Sequence, residues 1–155
     1  MKKLILNLFL VITAFATSQA QVINPEEDAV KATINNLFNG MRNTDTTLIR
    51  SSFAAQNTMQ TIAKNREGKA VVITETVNNF IKTVGSPHPE QYDERIEFAK
   101  ILIDGNLASV WTNYKFYIGN KFSHCGVNSF QLFKGVNGWK IIYLIDTRRK
   151  ENCNP

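Results

Sequence analysis

The sequence predicts an α+β domain in which three amino-terminal helices pack on a strongly curved antiparallel sheet. Apolar residues recur at helical spacing mainly in the first half of the chain, and from Glu94 onward the pattern is one of long strands. Short turns that contain glycine and asparagine separate those strands. Helices that come first and strands that follow are typical of helices packed on one face of an antiparallel sheet.

The first helix is predicted to begin at Pro25. Asn24 is a suitable N-cap, proline is tolerated at the first helical position, and the acids at 26–28 lie at the positive end of the helix dipole. Asp45 caps a second, shorter helix, and a third helix stops at Gly85. Each helix carries an apolar stripe that must be buried: Val30, Ile34, Leu37, Phe38 and Met41; then Leu48, Ile49 and Phe53; then Val77, Phe80, Ile81 and Val84.

Six strands are predicted, two short and four long. The short strands, 58–64 and 69–73, flank a turn at 65–68 and lie between the second and third helices. The long strands form an antiparallel meander over 94–103, 107–118, 121–134 and 139–147. They carry large side chains on both faces, so one face is expected under the helices and the other in a homodimer interface.

The amino terminus has the order of a secretory signal peptide. Lys2 and Lys3 precede an uncharged apolar run from Leu4 to Phe15, and Ser18-Gln19-Ala20 is a small-x-small cleavage site. We therefore expect a signal peptide at 1–20 and a single mature domain at 21–155, exported to the periplasm or the medium. A retained membrane anchor is the alternative, but a spanning helix needs about 20 apolar residues and this run is about a dozen. After cleavage, no membrane association is expected.

The charge distribution gives little support to nucleic-acid binding. Removal of residues 1–20 leaves 16 basic residues against 13 acidic ones, a mature net charge of about +3. The basic residues are spread along the chain apart from the run 148–150, without an aromatic-interleaved basic stripe.

The two cysteines, Cys125 and Cys153, predict a disulfide, because paired cysteines in an oxidising compartment are normally bridged. Pairing Lys134 with Trp139 across the last hairpin places Cys125 opposite Arg148, within reach of a tail that turns back. A nucleophilic Cys125 beside His124 is the alternative. Adjacent strand residues point to opposite faces, however, so the imidazole is poorly placed to activate its neighbour.

The order of elements resembles the nuclear transport factor 2-like (NTF2-like) superfamily, which includes SnoaL-like cyclases and ketosteroid isomerases. The resemblance lies in "NTDTTLIRSSF", "DGNLASVWTNYKFYIGNKF" and "FQLFKGVNGWKIIYLIDTR", and it covers 25–149. It implies a cystatin-like cone with a pocket between the sheet and the first helices, commonly dimeric through the sheet. It also resembles exported bacterial members that carry "SHCG" in one strand and "DTRR" near a late cysteine.

Candidate site residues follow from the register of the last hairpin. One face carries His124, Asn128, Phe130, Ile141, Tyr143 and Ile145, and the other carries Cys125, Gln131, Lys140, Asp146 and Arg148. The first face is the more apolar, so we expect it to line the pocket; one bulge would exchange the assignments beyond it. The predicted ligand-binding residues are His124, Tyr114, Tyr143, Trp111, Asp146 and Arg148.

The expected function is that of an exported binding or accessory domain for a small, partly apolar ligand. The alternative is an isomerase or cyclase that uses His124 as general base, because histidine exchanges protons near neutral pH. For His124, a structural hydrogen bond to a backbone carbonyl at the sheet edge is favoured over the catalytic role. Asp146 and Arg148, at strand spacing i, i+2, are expected to pair. No cofactor is expected, and the two distant histidines predict no metal site.

Overall fold

The computed structural model describes residues 24–153, so the predicted signal peptide lies outside the described part of the chain. The fold consists of three helices and six strands: α1 (Pro25–Asn43), α2 (Thr46–Ser52), β1 (Phe53–Lys64), β2 (Ala70–Glu75), α3 (Val77–Gly85), β3 (Tyr92–Asp104), β4 (Leu107–Ile118), β5 (Lys121–Gly135) and β6 (Gly138–Thr147). The predicted α+β class is confirmed. Within residues 24–153, no helix is both long and apolar enough to cross a membrane.

The helix boundaries follow the capping residues. Asn24 Oδ1 accepts the backbone N–H of Glu26 at 3.2 Å, and Asp45 Oδ1 accepts that of Leu48 at 2.9 Å. Phe53, predicted in the second helix, is instead the first residue of β1, where it has an extended backbone and pairs with Ile141. Its ring is still buried in the core, so the apolar signal was correct although the element was not.

The six strands form one sheet in the order β2-β1-β6-β5-β4-β3. The meander β3–β6 is antiparallel throughout, as predicted, and β1 pairs with β2 antiparallel. The pairing of β1 with β6 is parallel, which makes the sheet mixed at that position. This arrangement places the β1–β2 hairpin beside the last strand and so extends the surface that the helices cover.

One face of the sheet packs against the helices and is called here the helix-covered face; the other is the open face. The core under the helices is closely packed: Val30, Ile34 and Leu37 of α1, Ile81 and Val84 of α3, and Val110, Phe130, Leu132, Ile141 and Leu144 of the sheet all belong to it. Burial of this apolar surface is the main contribution to stability.

A bulge in β6 decides which side chains of the last strand face the helices. Lys134 lies opposite Trp139, as predicted, but Leu132 lies opposite Ile141 and Gln131 opposite Tyr143, so Ile142 is an extra residue. The predicted faces are therefore exchanged beyond this point. Leu144, Asp146 and Arg148 belong to the helix-covered face, whereas Tyr143 and Ile145 belong to the open face.

The predicted disulfide is present between Cys125 and Cys153, with Cα atoms 5.7 Å apart. Because of the bulge, the partner of Cys125 is Arg149 and not Arg148: the two residues exchange backbone hydrogen bonds of 2.9 Å in both directions. Both sulfur atoms are in the bridge, so the alternative of a free nucleophilic Cys125 is wrong.

Candidate functional site

A cavity of about 250 Å³ lies between the helices and the sheet. Its apolar wall comes from Leu37, Phe38 and Met41 of α1, Phe80 of α3, Met59 of β1, Ile73 of β2 and Leu144 of β6. Its polar wall comes from Gln60, Thr61, Glu75, Glu94, Asn128, Asp146 and Arg148. An apolar cavity with a few convergent polar groups is the usual form of a small-molecule site.

Glu94 is a partly buried acid of this cavity. It lies on β3, and its Oε1 accepts a hydrogen bond of 2.8 Å from Nδ2 of Asn128, which also donates to Oγ1 of Thr112 at 3.2 Å. Asn128 and Thr112 are themselves buried, so the carboxyl has a fixed neutral partner. Burial, reinforced by the negative charge of Asp146, raises the pKa of Glu94 from 4.5 to about 7. The group can therefore accept or donate a proton near neutral pH.

Asp146 is held in place by two donors. The hydroxyl of Tyr114 donates to Asp146 Oδ2 at 3.2 Å, and Nε of Arg148 donates to the same oxygen at 3.0 Å. The hydroxyl of Tyr114 also contacts the carbonyl oxygen of Thr147 at 2.8 Å. Burial and the nearby carboxylates raise the pKa of Tyr114, so this phenol stays protonated as a donor. The predicted pairing of Asp146 with Arg148 is present, and the pair lines the cavity.

Thr61 supplies a polar atom without a partner. It lies on β1 directly beside Asp146 of β6, and its Oγ1 is buried with no hydrogen-bond partner within the described part of the chain. A buried hydroxyl that lacks a partner is costly, and a bound molecule is one way to satisfy it.

His124 lies on the helix-covered face of β5 but does not line the cavity. Its ring packs against those of Phe116 and Tyr114, with centroids 5.0 and 5.7 Å away, and its Nδ1 lies 3.1 Å from Oγ of Ser123. Burial and the positive charge of Arg148 lower the pKa of His124, which keeps the imidazole neutral at pH 7.

Trp111 and Tyr143, two of the predicted ligand-binding residues, lie on the open face. Trp111 pairs with Ser129 and is 46% exposed, on the side of the sheet away from the cavity. The hydroxyl of Tyr143 donates to Oε1 of Gln60 at 2.7 Å. Tyr143 lies on this face because of the bulge at Ile142. Trp111 lies there because it alternates along β4 with Val110 and Tyr114, whose side chains are buried.

Glu94, Thr61 and Phe80 were not among the predicted site residues. For Glu94 a signal exists in the sequence: it occupies the same alternating row of β3 as Ile96 and Phe98, which pack against the core. An acid in an apolar row is a candidate functional group. For Thr61 and Phe80 no comparable signal exists, because threonine in a strand and phenylalanine in a helix stripe are ordinary.

A wider, open groove of about 800 Å³ lies beside the β5–β6 turn. Its charged residues are Lys134 and Lys140, whose ammonium groups are bound at 2.6 Å by Glu26 and by the carbonyl oxygen of Ser51. Neither lysine is therefore a free reactive group, and the groove is a weaker candidate. Within residues 24–153, no group of three or more His, Cys, Asp and Glu side chains is placed to hold a metal ion.

Comparison with known proteins supports the fold. No protein-family model matches the sequence, and no curated protein matches it significantly. An NTF2-like protein of unknown function from Shewanella baltica superimposes with a TM-score of 0.63 at 18% identity, over 81% of this chain and 95% of that one. A domain of unknown function with a cystatin-like fold from Nostoc punctiforme gives 0.65 at 15% identity, over 84% and 81%.

A candidate dehydratase of the NTF2-like family from Streptomyces avermitilis also superimposes, with a TM-score of 0.61 at 10% identity over 80% of this chain and 96% of that one. At these identities the comparison shows the fold alone. The chain has the NTF2-like, cystatin-like fold that its pattern of elements resembles.

Proposed function

We propose that the protein is an exported binding domain that holds a small, partly apolar molecule in the cavity between α1, α3 and the sheet. The observation that carries this proposal is the combination of an apolar wall with a fixed polar wall formed by Glu94, Asn128, Asp146 and Arg148. The apolar wall supplies affinity by excluding water, and the polar wall fixes the orientation of the ligand. Export is supported by the signal-peptide pattern and by the disulfide.

The binding site can be tested with 4-methylphenol, a neutral single-ring probe with one hydroxyl, followed by methyl NMR. We expect the methyl signals of Leu37, Met41, Met59 and Leu144 to shift on titration, because these residues line the cavity. The methyl signals of Leu102 and Leu107, which are exposed on the open face, should not move.

A matched pair of variants separates loss of the cavity wall from a general effect. Phe80→Ala removes a ring that lines the cavity, whereas Phe122→Ala removes a partly exposed ring that contacts Tyr117 elsewhere. Affinity for 4-methylphenol should fall several-fold in Phe80→Ala and stay unchanged in Phe122→Ala. Equal effects of the two substitutions, or shifts confined to Leu102 and Leu107, would contradict the proposal.

A second candidate function is proton transfer, and the observation that favours it is Glu94. A carboxyl with a pKa near 7 inside an apolar cavity suits a general acid or base. Glu94 is a better placed base than His124, the general base of the isomerase or cyclase alternative, because His124 is not part of the cavity wall. The protonated hydroxyl of Tyr114 reaches Asp146 and not the cavity, so its role would be to position that carboxylate.

The test of proton transfer is hydrogen–deuterium exchange at the α-carbon of cyclohexanone in D₂O, followed by NMR. A proton-transfer site predicts exchange above the buffer rate that rises with pH through about 7 and is lost in Glu94→Gln. Exchange that persists in Glu94→Gln but is lost in His124→Ala would assign the base to the histidine instead.

A further inference from the structure

The charges at the cavity are opposite in sign to those of the chain as a whole. The full sequence has a formal net charge of +5, yet the cavity wall carries three acids, Glu75, Glu94 and Asp146, against one base, Arg148. The guanidinium of Arg148 is bonded to Asp146. Among the ion pairs of residues 24–153, none joins a base to Glu94, whose hydrogen-bond partner is the neutral amide of Asn128.

The polar groups at the cavity match the donors of an ammonium group. A primary ammonium has three N–H donors and no acceptor. The cavity wall offers acceptors for these donors: the carboxyl groups of Glu94 and Asp146, and the hydroxyl of Thr61, whose Oγ1 is buried with no partner among residues 24–153. An anionic ligand could use the terminal nitrogens of Arg148, but it would face three carboxyl groups in the same enclosure.

The apolar wall limits the size of the ligand. A volume of 250 Å³ corresponds to about eight water-sized groups at roughly 30 Å³ each. The apolar wall includes two rings, Phe38 and Phe80, and the flexible side chains of Met41 and Met59. The space therefore suits a short alkyl chain or a single aromatic ring.

We propose that the ligand is a small primary amine with an apolar body, whose ammonium group binds at Glu94 on the polar wall that also carries Asp146 and Thr61. This inference rests on the proposed binding function and names the class of its ligand. The interaction is specific because the ammonium group of the ligand supplies the counter-ion that Glu94 lacks. A buried carboxylate without a counter-ion is strongly disfavoured. Neutral and anionic molecules of the same size lack that contribution.

The test compares 2-phenylethylamine, 2-phenylethanol and phenylacetate, which share one ring and differ in the polar group. Each is titrated at pH 8 into the full protein, and binding is followed by the methyl signals of Leu37, Met41, Met59 and Leu144. We expect the amine to bind at least tenfold more tightly than the alcohol, and phenylacetate to bind most weakly.

The variant Glu94→Gln keeps the size of the side chain and removes its charge. It should abolish the preference for the amine over the alcohol while the alcohol still binds. The control Glu97→Gln removes an exposed acid of the same strand outside the cavity wall and should keep the preference. The methyl spectrum of each variant reports whether the fold is intact.

A pH series on the unaltered protein gives an independent readout. Primary amines stay protonated to about pH 10, so the affinity for 2-phenylethylamine should follow the ionisation of Glu94 and rise up to about tenfold between pH 6 and 8. The charged and titratable groups that face Glu94 are Asp146 and Arg148 of β6, Tyr114 of β4 and Glu75 of β2, while α1 and α3 contribute apolar side chains to the wall.

The outcomes separate this inference from the binding function on which it rests. If the alcohol or phenylacetate binds as tightly as the amine and moves the same methyl signals, the cavity binds ligands but the amine inference is wrong. A preference for the amine that survives in Glu94→Gln would also overturn it. If none of the three probes moves these signals, the inference and the proposed binding function both fail.

Discussion

Glu94 should make the stability of the protein depend on pH in an unusual direction. Its pKa is raised in the folded state, from 4.5 to about 7, mainly by burial. The stability that it contributes is therefore fully present below pH 4.5 and is lost as the pH rises to about 7. The free energy of unfolding should fall over this range by at most about 3 kcal/mol on account of this group.

Urea unfolding at pH 5 and pH 8 checks this expectation. The variant Glu94→Gln has no such proton to lose, so its stability relative to the unaltered protein should increase between the two pH values. Glu97→Gln serves as the control for loss of one negative charge. A difference between Glu94→Gln and the unaltered protein that is the same at both pH values would show that Glu94 titrates normally.

Gly126 is required by a close approach of two strands. A Cβ atom at this position would overlap the carbonyl oxygen of Thr147 and approach the ring of Tyr114 at 2.7 Å. Gly126→Ala should therefore lower the free energy of unfolding by about 2 kcal/mol or more, since the obstacle is backbone and cannot rotate away. In Gly135→Ala, the nearest atom belongs to the side chain of Phe133, 3.0 Å away, which can move.

Thermal unfolding of the two glycine variants side by side tests this difference. The contrast depends on position alone, because the chemical change is identical. Similar midpoints for Gly126→Ala and Gly135→Ala would mean that β6 can shift away from β5 at little cost.

At the scale of single residues, the sequence predicts which side chains contact each other better than it predicts which face of the sheet they occupy. The spacing of Asp146 and Arg148 predicted that they would contact each other, and they do. Their face was predicted wrongly because residues 141–145 are five successive apolar residues, Ile-Ile-Tyr-Leu-Ile, and no polar residue marks which one is extra. The alternation of apolar and polar residues identifies the face of a strand only where polar residues interrupt the apolar run.

At the scale of elements, the disulfide joins the end of the chain to β5. It closes a loop across 28 positions between Cys125 and Cys153. A loop of this length contributes about 3 to 4 kcal/mol in the chain-entropy account. The double variant Cys125→Ser/Cys153→Ser should lose about that amount of stability in urea unfolding.

Treatment of the unaltered protein with a reductant provides a second readout. Reduction should lower its urea midpoint toward that of the double variant and raise its intact mass by two hydrogens. The double variant should not respond to reductant. If the two proteins unfold at the same urea concentration without reductant, the bridge contributes no stability.

The helices were predictable because each carries its own local signal. Asn24 and Asp45 cap α1 and α2 as expected, and the apolar stripes of all three helices are largely buried. The error at Phe53 arose because an apolar residue fits both a helix stripe and a strand. The choice depends on the parallel partner strand β6, which is distant in sequence.

At the scale of the whole molecule, we propose that the open face forms a homodimer interface. Four large apolar side chains are exposed on three adjacent strands of this face: Leu102, Leu107, Trp111 and Phe133. An exposed apolar surface of this kind is typical of an interaction site. Trp111→Lys places a charge on this surface and should shift the protein to the monomer in analytical ultracentrifugation.

Val136→Lys is the matched control, because Val136 is fully exposed in the β5–β6 turn. It should leave the oligomeric state unchanged. A monomeric unaltered protein, at every concentration at which it can be measured, would contradict the proposed interface.

The overall architecture could be predicted from the sequence, whereas the cavity could not. Turns mark the ends of the four long strands, so the meander follows from local signals. The cavity depends on how α1, α3 and the β1–β2 hairpin come together around Glu94 and Asp146, and these contacts join distant parts of the chain.

The extra residue Ile142 has a consequence for divergence among proteins of this fold. Deletion of this one residue, with the turn at 136–137 unchanged, would leave Leu132 opposite Ile141 and Gln131 opposite Tyr143, so β6 would lose its bulge and every later side chain would keep its present face. Asp146 and Arg148 would stay in the cavity wall. A relative without the extra residue can therefore keep the same acidic chamber, and a one-residue gap at this position in a sequence comparison is no sign of a different site.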